Sequence, residues 1–142
     1  MTIYEDMVAA CKGKKLTGVE RIAIERARQI DVEGYDQAHD FEHDDGSIAM
    51  AAACYAACAA RRGRDNDGPG RIYVMKRHAA SIDFIDPWPW EDRFDGRPHD
   101  GNVLKKASQG QAIRMLEKAG ALIAAEIDRL TRDGDADSKE EE

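Results

Sequence analysis

No apolar run in this chain approaches the ~20 residues that a membrane-spanning helix requires, so no membrane span is expected. The first segment, Met1 to Cys11, carries Glu5 and Asp6 and lacks an uninterrupted apolar stretch followed by a cleavage site. No secretory leader is therefore expected. Cysteine is scarce: Cys11, Cys54 and Cys58 are all there is. An odd count without a leader argues against a disulfide framework and fits reduced thiols in a cytoplasm. Aromatic residues make up only 6% of the chain, so Ala, Ile and Leu must do most of the packing. A basic cluster is also missing. With 21 Lys and Arg against 28 Asp and Glu, direct binding to a nucleic-acid backbone is not expected.

What is present suits one helical domain. The 142 residues are 42% hydrophobic, enough to fill one core. The formal charge of -7 is uneven, because Asp133 to Glu142 hold six acids and one Lys. Residues 133–142 are expected to form an acidic, solvated, disordered tail on a domain spanning residues 1–132.

Helix signals occur at four places. Ile3, Met7, Val8 and Cys11 share a face. Thr17-Gly18-Val19-Glu20 is a capping box, in which a hydroxyl and a carboxylate three residues on satisfy free N–H groups reciprocally. The helix it starts runs to about residue 32, with Val19, Ile22, Ala23, Ala27 and Ile30 as its stripe and Gly34 at its end. A third helix, about 48–62, is Ala-rich and can be capped by Asp44, Asp45 or Ser47. The last, about 110–131, opens on a second box, Ser108 with Gln111. Its stripe is Ile113, Leu116, Gly120, Ile123, Ile127 and Leu130, at alternating steps of three and four. The expected core joins Ile22, Ile30, Met50, Cys54, Leu116, Ile123 and Ile127. Between the third and last helices lies a long irregular loop. Ile72, Val74, Ile82 and Phe84 fit a short β-hairpin there, although Met75 to Ser81 also fits a helix. The fold class expected is mainly α, a compact bundle of three to four helices.

Four groups of residues could carry chemistry. His39, Glu42, His43, Asp44 and Asp45 crowd imidazoles and carboxylates into seven residues, and with Glu126 they could hold a divalent metal and activate a water. Their other reading is a hydrogen-bonded connection that caps the next helix. Paired helical carboxylates would suit magnesium, as in the all-α nucleotide pyrophosphohydrolases. The spacing departs from that pattern, since Glu126 is followed at the third place by Arg129 and Glu20 by Ala23. Trp88 and Trp90, stiffened by the prolines of P-W-P-W, could stack on a planar base or could plug the end of a helical core. Cys54 and Cys58, one turn apart, read as buried small hydrophobes rather than zinc ligands.

The order I-E-R-A-R-Q-I-D-V-E-G-Y (24–35), E-H-D-D (42–45), an Ala-rich helix, P-W-P-W and K-A-G-A-L-I-A-A-E-I-D-R-L (118–130) resembles a family of small uncharacterised phage and prophage proteins. The resemblance covers roughly residues 20–130, and its closing helix is its most specific part. Members commonly have Trp where this chain has Tyr35. Glu33-Gly34-Tyr35 and Asp44-Asp45 also resemble the outline of the ryanodine-receptor repeat (RyR) domain. That resemblance implies a helical module that takes an adenine-type ligand between aromatics without catalysis.

These readings combine into one expectation and two alternatives. The expectation is a non-enzymatic phage or prophage binding module in a host cytoplasm, needing no cofactor. Its ligand would be a nucleotide-like small molecule or a host protein. Tyr35, Trp88 and Trp90 would stack, Arg26, Arg28 or Lys118 would meet a phosphate, and His43, Asp44 and Asp45 would contact ribose or hold the loop. The alternatives are a divalent-metal-dependent nucleotide hydrolase using His39, His43, Asp44, Asp45 and Glu126, and an inhibitor of a host protein. Self-association is compatible with any of them.

Overall fold

A computed structural model describes residues 1–60 and 71–140, with side chains through Arg132. The expected loop at 63–70, the end of the third helix at 61–62 and the side chains of the acidic segment lie outside the described residues. The chain is mainly helical, with two small antiparallel sheets. It divides into two compact units, Met1–Ala49 with Gly120–Glu142, and Met50–Ala119.

The first unit begins with α1 (Ile3–Cys11) and α2 (Gly18–Asp31). Both open on a capping box. Thr17 Oγ1 accepts from the Glu20 N–H at 3.3 Å, while a Glu20 carboxylate oxygen accepts from the Thr17 N–H at 3.0 Å. These bonds to Thr17 hold the Glu20 carboxyl below its ordinary pKa. Thr2 and Glu5 repeat the arrangement on α1. The Tyr4 N–H donates to Asp31 at 2.8 Å and ties α1 to the far end of α2. Gly34 takes φ +77°, a left-handed conformation that turns the chain out of the helix. A five-residue helix, α3 (Gln37–Phe41), is capped by Asp36. Next comes α4 (Ser47–Ala60), whose first turn belongs to this unit. The Ser47 N–H donates to Asp45 Oδ1 at 3.0 Å, so Asp45, one of the three expected caps, accepts at the helix start. These bonds lower the Asp45 pKa.

The second unit takes the rest of α4, a hairpin of β1 (Val74–Arg77) and β2 (Ile82–Ile85), and a smaller one of β3 (His99–Asp100) and β4 (Val103–Leu104). In the first hairpin Val74 faces Ile85 and Arg77 faces Ile82. The alternative of a helix over residues 75–81 is therefore not adopted. Every residue of β1 and β2 is exposed. The core of this unit is rich in small residues. Ala51, Ala52, Cys54, Tyr55, Cys58 and Ala59 on α4 are buried, as are Leu104 and Ala107. Short side chains let neighbouring backbones approach closely, as the Ala-rich sequence implied.

The last helix, α5 (Gln109–Glu140), corrects an expectation. It opens on the Ser108–Gln111 box, as the spacing predicts. Its buried face, however, is Ala112, Met115, Ala119, Leu122, Glu126 and Arg129. The expected stripe lies one residue further round. Ile113 is 40% exposed, Leu116 51%, Ile123 49%, Ile127 58% and Leu130 55%. Both stripes repeat at three and four residues, so periodicity alone cannot choose between them. The inward face is the one with small residues. Val19 and Ile30 of α2 are likewise exposed, so neither they nor the α5 isoleucines join the core.

Buried polarity is concentrated in the first unit. Glu25, Gln29, Asp40, Ser47, Glu126 and Arg129 are buried there, and Arg97 in the second unit. Buried charge is tolerated when it is paired. Arg28 forks onto Glu25 at 2.9 and 2.8 Å, and Arg129 pairs with Glu126.

Candidate functional site

Residues 86–101, a stretch that its prolines and glycines mark as irregular, build most of the wall of a pocket in the second unit. Proline at 87 and 89 removes two N–H donors and fixes φ, which holds this stretch extended. The Trp88 N–H that remains donates to Asp86 Oδ1 at 3.1 Å. Trp88 Nε1–H donates to the Glu91 carbonyl at 3.3 Å. The two indoles meet edge to face, with centroids 5.7 Å apart, and Tyr55 presents the same kind of contact to Trp88 at 5.3 Å. Edge-to-face geometry places the positive rim of one ring on the negative face of the other.

Tyr55 also anchors the following turn. Its hydroxyl donates to the Phe94 carbonyl at 3.3 Å and accepts from the Gly96 N–H at 3.0 Å. A side chain at Gly96 would stand 2.9 Å from Lys118 Nζ and 3.1 Å from the Tyr55 oxygen. Glycine is what allows the turn this close. Gly101, at φ +62°, then reverses the chain between β3 and β4.

At the centre lies Arg97, whose side chain is only 3% exposed. Its Nε reaches both Asp95 oxygens at 2.9 and 3.1 Å, and its Nη2 reaches Asp95 Oδ2 at 2.7 Å. Its Nη1 lies 3.1 Å from Asp86, and Arg71 Nε approaches the same Asp86 oxygen at 3.4 Å. Burial disfavours the charged guanidinium of Arg97, but Asp95 and Asp86 outweigh it and hold its pKa above the ordinary value. The guanidinium also sits 5.4 Å from the centre of the Trp88 ring, in cation–π range. His99 follows on β3, with Nδ1 2.6 Å from the Arg97 carbonyl. A carbonyl only accepts, so Nδ1 is the donor in this pair, and Nε2 lies 3.5 Å from Asp95.

The cavity these residues enclose measures about 500 Å³. Arg71, Asp86, Trp88, Trp90, Asp92, Asp95, Arg97, His99, Gly101 and Asn102 line it. That size falls in the range of small-molecule sites. Two flat rings beside several hydrogen-bonding groups can hold a planar polar molecule. No family model matches the chain, and no curated protein or solved structure matches it either. The phage-protein and RyR resemblances rest only on the residues that carry them.

The residues singled out from sequence divide between the units. Trp88, Trp90 and Lys118 belong to the second. Both indoles line the pocket, and Lys118 Nζ lies 5.8 Å from the Tyr55 ring centre. Arg26, Arg28, Tyr35, His43, Asp44 and Asp45 belong to the first unit. There Arg26 donates to the Tyr35 carbonyl at 3.0 Å and to Asp40 at 2.8 Å, and Arg28 holds Glu25 and Glu33. Tyr35 stacks on His39 at 4.5 Å, and His39 meets His43 at 4.6 Å. Burial and the charge of Glu33 push the Tyr35 phenol up. His39 Nδ1 lies 3.4 Å from Asp40, and His43 Nδ1 lies 3.5 Å from Ser47 Oγ. For the metal reading with His39, His43, Asp44, Asp45 and Glu126, the geometry is plain. Among the described residues, no group of three or more His, Cys, Asp or Glu side chains is arranged to hold a metal ion.

Sequence reasoning missed Arg97, Asp86, Asp95, Arg71 and His99. A signal was present. Asp86 immediately precedes P-W-P-W, and Asp95-Gly96-Arg97 closes the same stretch. Acids and a guanidinium bracketing a rigid indole pair are the ingredients of a polar pocket with aromatic walls.

Proposed function

We propose that this chain is a non-enzymatic binding module that takes a planar, nucleotide-like small molecule in the pocket of its second unit. One observation carries the reading. Both tryptophans of the chain, and no others, line a cavity of about 500 Å³ together with side chains able to hydrogen-bond a heterocycle. A base edge offers donors and acceptors, and an indole offers a stacking face worth about 1–3 kcal/mol per base. Arg26 and Arg28 are engaged with carboxylates of the first unit, so the reading rests on the second unit's residues.

The test uses the chain's own fluorophores. Because both indoles line the cavity, tryptophan emission reports on its contents. Titration with adenine, guanine, cytosine and uracil derivatives should change that emission, with matching heat by calorimetry. Trp90→Leu should weaken binding about tenfold or more, in line with loss of one stacking partner. No change in emission and no heat across the whole panel would end the small-molecule reading.

A further inference from the structure

We infer that this pocket selects the unphosphorylated form of its planar ligand, a base or nucleoside bearing an exocyclic amino group, and that Asp92 is the residue that sets the choice. The inference rests on the binding reading above and concerns what that site prefers.

The argument begins with the cations. A phosphate-binding pocket keeps guanidinium or ammonium donors available for the incoming oxygens. Here Arg97, the buried arginine of the wall, is committed to a carboxylate, whereas Arg71 approaches Asp86 through Nε at 3.4 Å with no hydrogen bond between them. Arg97 makes a fork with Asp95, and Arg97 and Arg71 share Asp86. To meet a phosphate, Arg97 would have to release Asp95, whose side chain is only 7% exposed. A buried carboxylate stripped of its partner is costly. Arg97 therefore builds the wall and is not offered to the ligand.

The balance of charge points the same way. Three aspartates and two arginines line the cavity, a formal -1 from these five residues. Asp86 and Asp95 are the partners of those arginines. Asp92 is not: among the described residues no hydrogen bond or ion pair reaches its carboxylate. It stands at the start of the 3-10 turn Asp92–Phe94, held by the backbone bond from the Asp95 N–H to the Asp92 carbonyl at 3.0 Å. Asp92 is among the residues that line the cavity. An ionised carboxylate only accepts hydrogen bonds, so it favours a ligand that presents N–H donors and repels one that presents phosphate oxygens. A carboxylate accepting from a base amino group is a known recognition pair in nucleic-acid grooves. Asn102, also in the lining, brings an amide that can donate and accept at once.

The experiment compares adenosine, inosine, AMP and ATP on the full chain, read by tryptophan emission, for the wild type and for Asp92→Asn. Adenosine should bind at least about tenfold more tightly than AMP, and ATP should be weaker still. Inosine, which lacks the amino group, should bind less tightly than adenosine. Asp92→Asn should shrink the preference for adenosine over AMP by about tenfold, with Asp92→Ser as a second variant. Asp92 is exposed, and unchanged circular dichroism would show that both variants keep the fold. AMP binding as tightly as adenosine would overturn the inference and leave the binding reading standing. So would a preference that neither Asp92 variant alters. If none of these compounds, nor the wider panel, changes the emission, the binding reading fails and this inference falls with it.

Discussion

Ile22 is seated on Gly120. A β-carbon added at Gly120 would stand 2.5 Å from Ile22 Cδ1 and 2.7 Å from its Cγ1. The glycine in the middle of α5 is thus a seat for a side chain of α2, within the first unit. Its helix-propensity cost, about 1 kcal/mol relative to alanine, is offset by that close approach. Gly120→Ala should therefore destabilise the protein, because an overpacking cost of about 1–3 kcal/mol meets a propensity gain of about 1. In an Ile22→Ala background the same substitution should become stabilising. Urea denaturation of the four members of this cycle measures the coupling. Additive effects would show that the two residues do not meet.

Arg97 and Asp95 give a second cycle. Removing either charge leaves the other buried, so Arg97→Ala or Asp95→Ala should cost about 3–5 kcal/mol. Replacing both with apolar residues, as in Arg97→Met with Asp95→Leu, should cost less than the sum of the single changes. Arg97→Lys should not restore the wild type, because an ammonium cannot make the fork. Equilibrium unfolding of each variant provides the comparison.

The three thiols should separate by accessibility. Cys54 and Cys58 are buried, whereas Cys11 is partly exposed. Burial pushes the Cys54 thiol from 9.0 up to about 11. One thiol per chain should react promptly with a thiol reagent under native conditions, and the other two only on unfolding. The same shift has a consequence for stability. A raised folded pKa means that the fold holds the proton more tightly. The contribution of Cys54 is therefore complete below 9.0 and is lost as the pH rises toward about 11. Cys54→Ala should flatten the decline in stability over that window, at a cost of roughly one kcal/mol or a little more at neutral pH.

Asp45 works in the opposite direction. The hydrogen bonds from Ser47 lower its folded pKa. Its contribution is therefore present above the unfolded carboxylate value and is lost as the pH falls through the lowered one. Asp45→Asn keeps an acceptor for the Ser47 N–H but has no proton to take up. Thermal melts between about pH 6 and about pH 2 should show a shallower acid loss for that variant. An unchanged profile would mean that other carboxylates govern the acid limb.

Trp88 and Trp90 should respond differently to truncation. Trp88 has Tyr55 at its edge, Arg97 near its face and its Nε1–H on the Glu91 carbonyl. Trp88→Ala should lower stability by about 3 kcal/mol, close to the range for large aromatic truncations. Trp88→Phe should recover most of it. Differential scanning calorimetry beside the ligand titrations separates lost fold from lost affinity.

Much of the local structure could be read directly. Thr17 with Glu20 and Ser108 with Gln111 cap helices because the box is satisfied by residues three apart, with no help from distant chain. Gly34 closes α2 because few other residues adopt its φ without strain. The Ala-rich run on α4 is buried because small side chains suit close packing. The indole pair in P-W-P-W was visible for a similar reason, since proline stiffens the chain wherever it occurs.

Two matters were left to the tertiary structure. The first is which face of α5 turns inward. Ile113, Leu116, Ile123, Ile127 and Leu130 have the same period as Ala112, Met115, Ala119, Leu122, Glu126 and Arg129, and hydrophobicity favours the first set. The seat at Gly120 and the small residues beside it favour the second, and a close fit with α2 is a fact about two helices that no single helix encodes. The second is the pairing of Arg97 with Asp95 and Asp86. Sequence supplies the charges, but a guanidinium reads as a free ligand-binding group until the fold shows which carboxylates it already holds. Helix caps are decided over three or four residues, whereas packing faces and buried ion pairs are decided by what the rest of the chain brings to them.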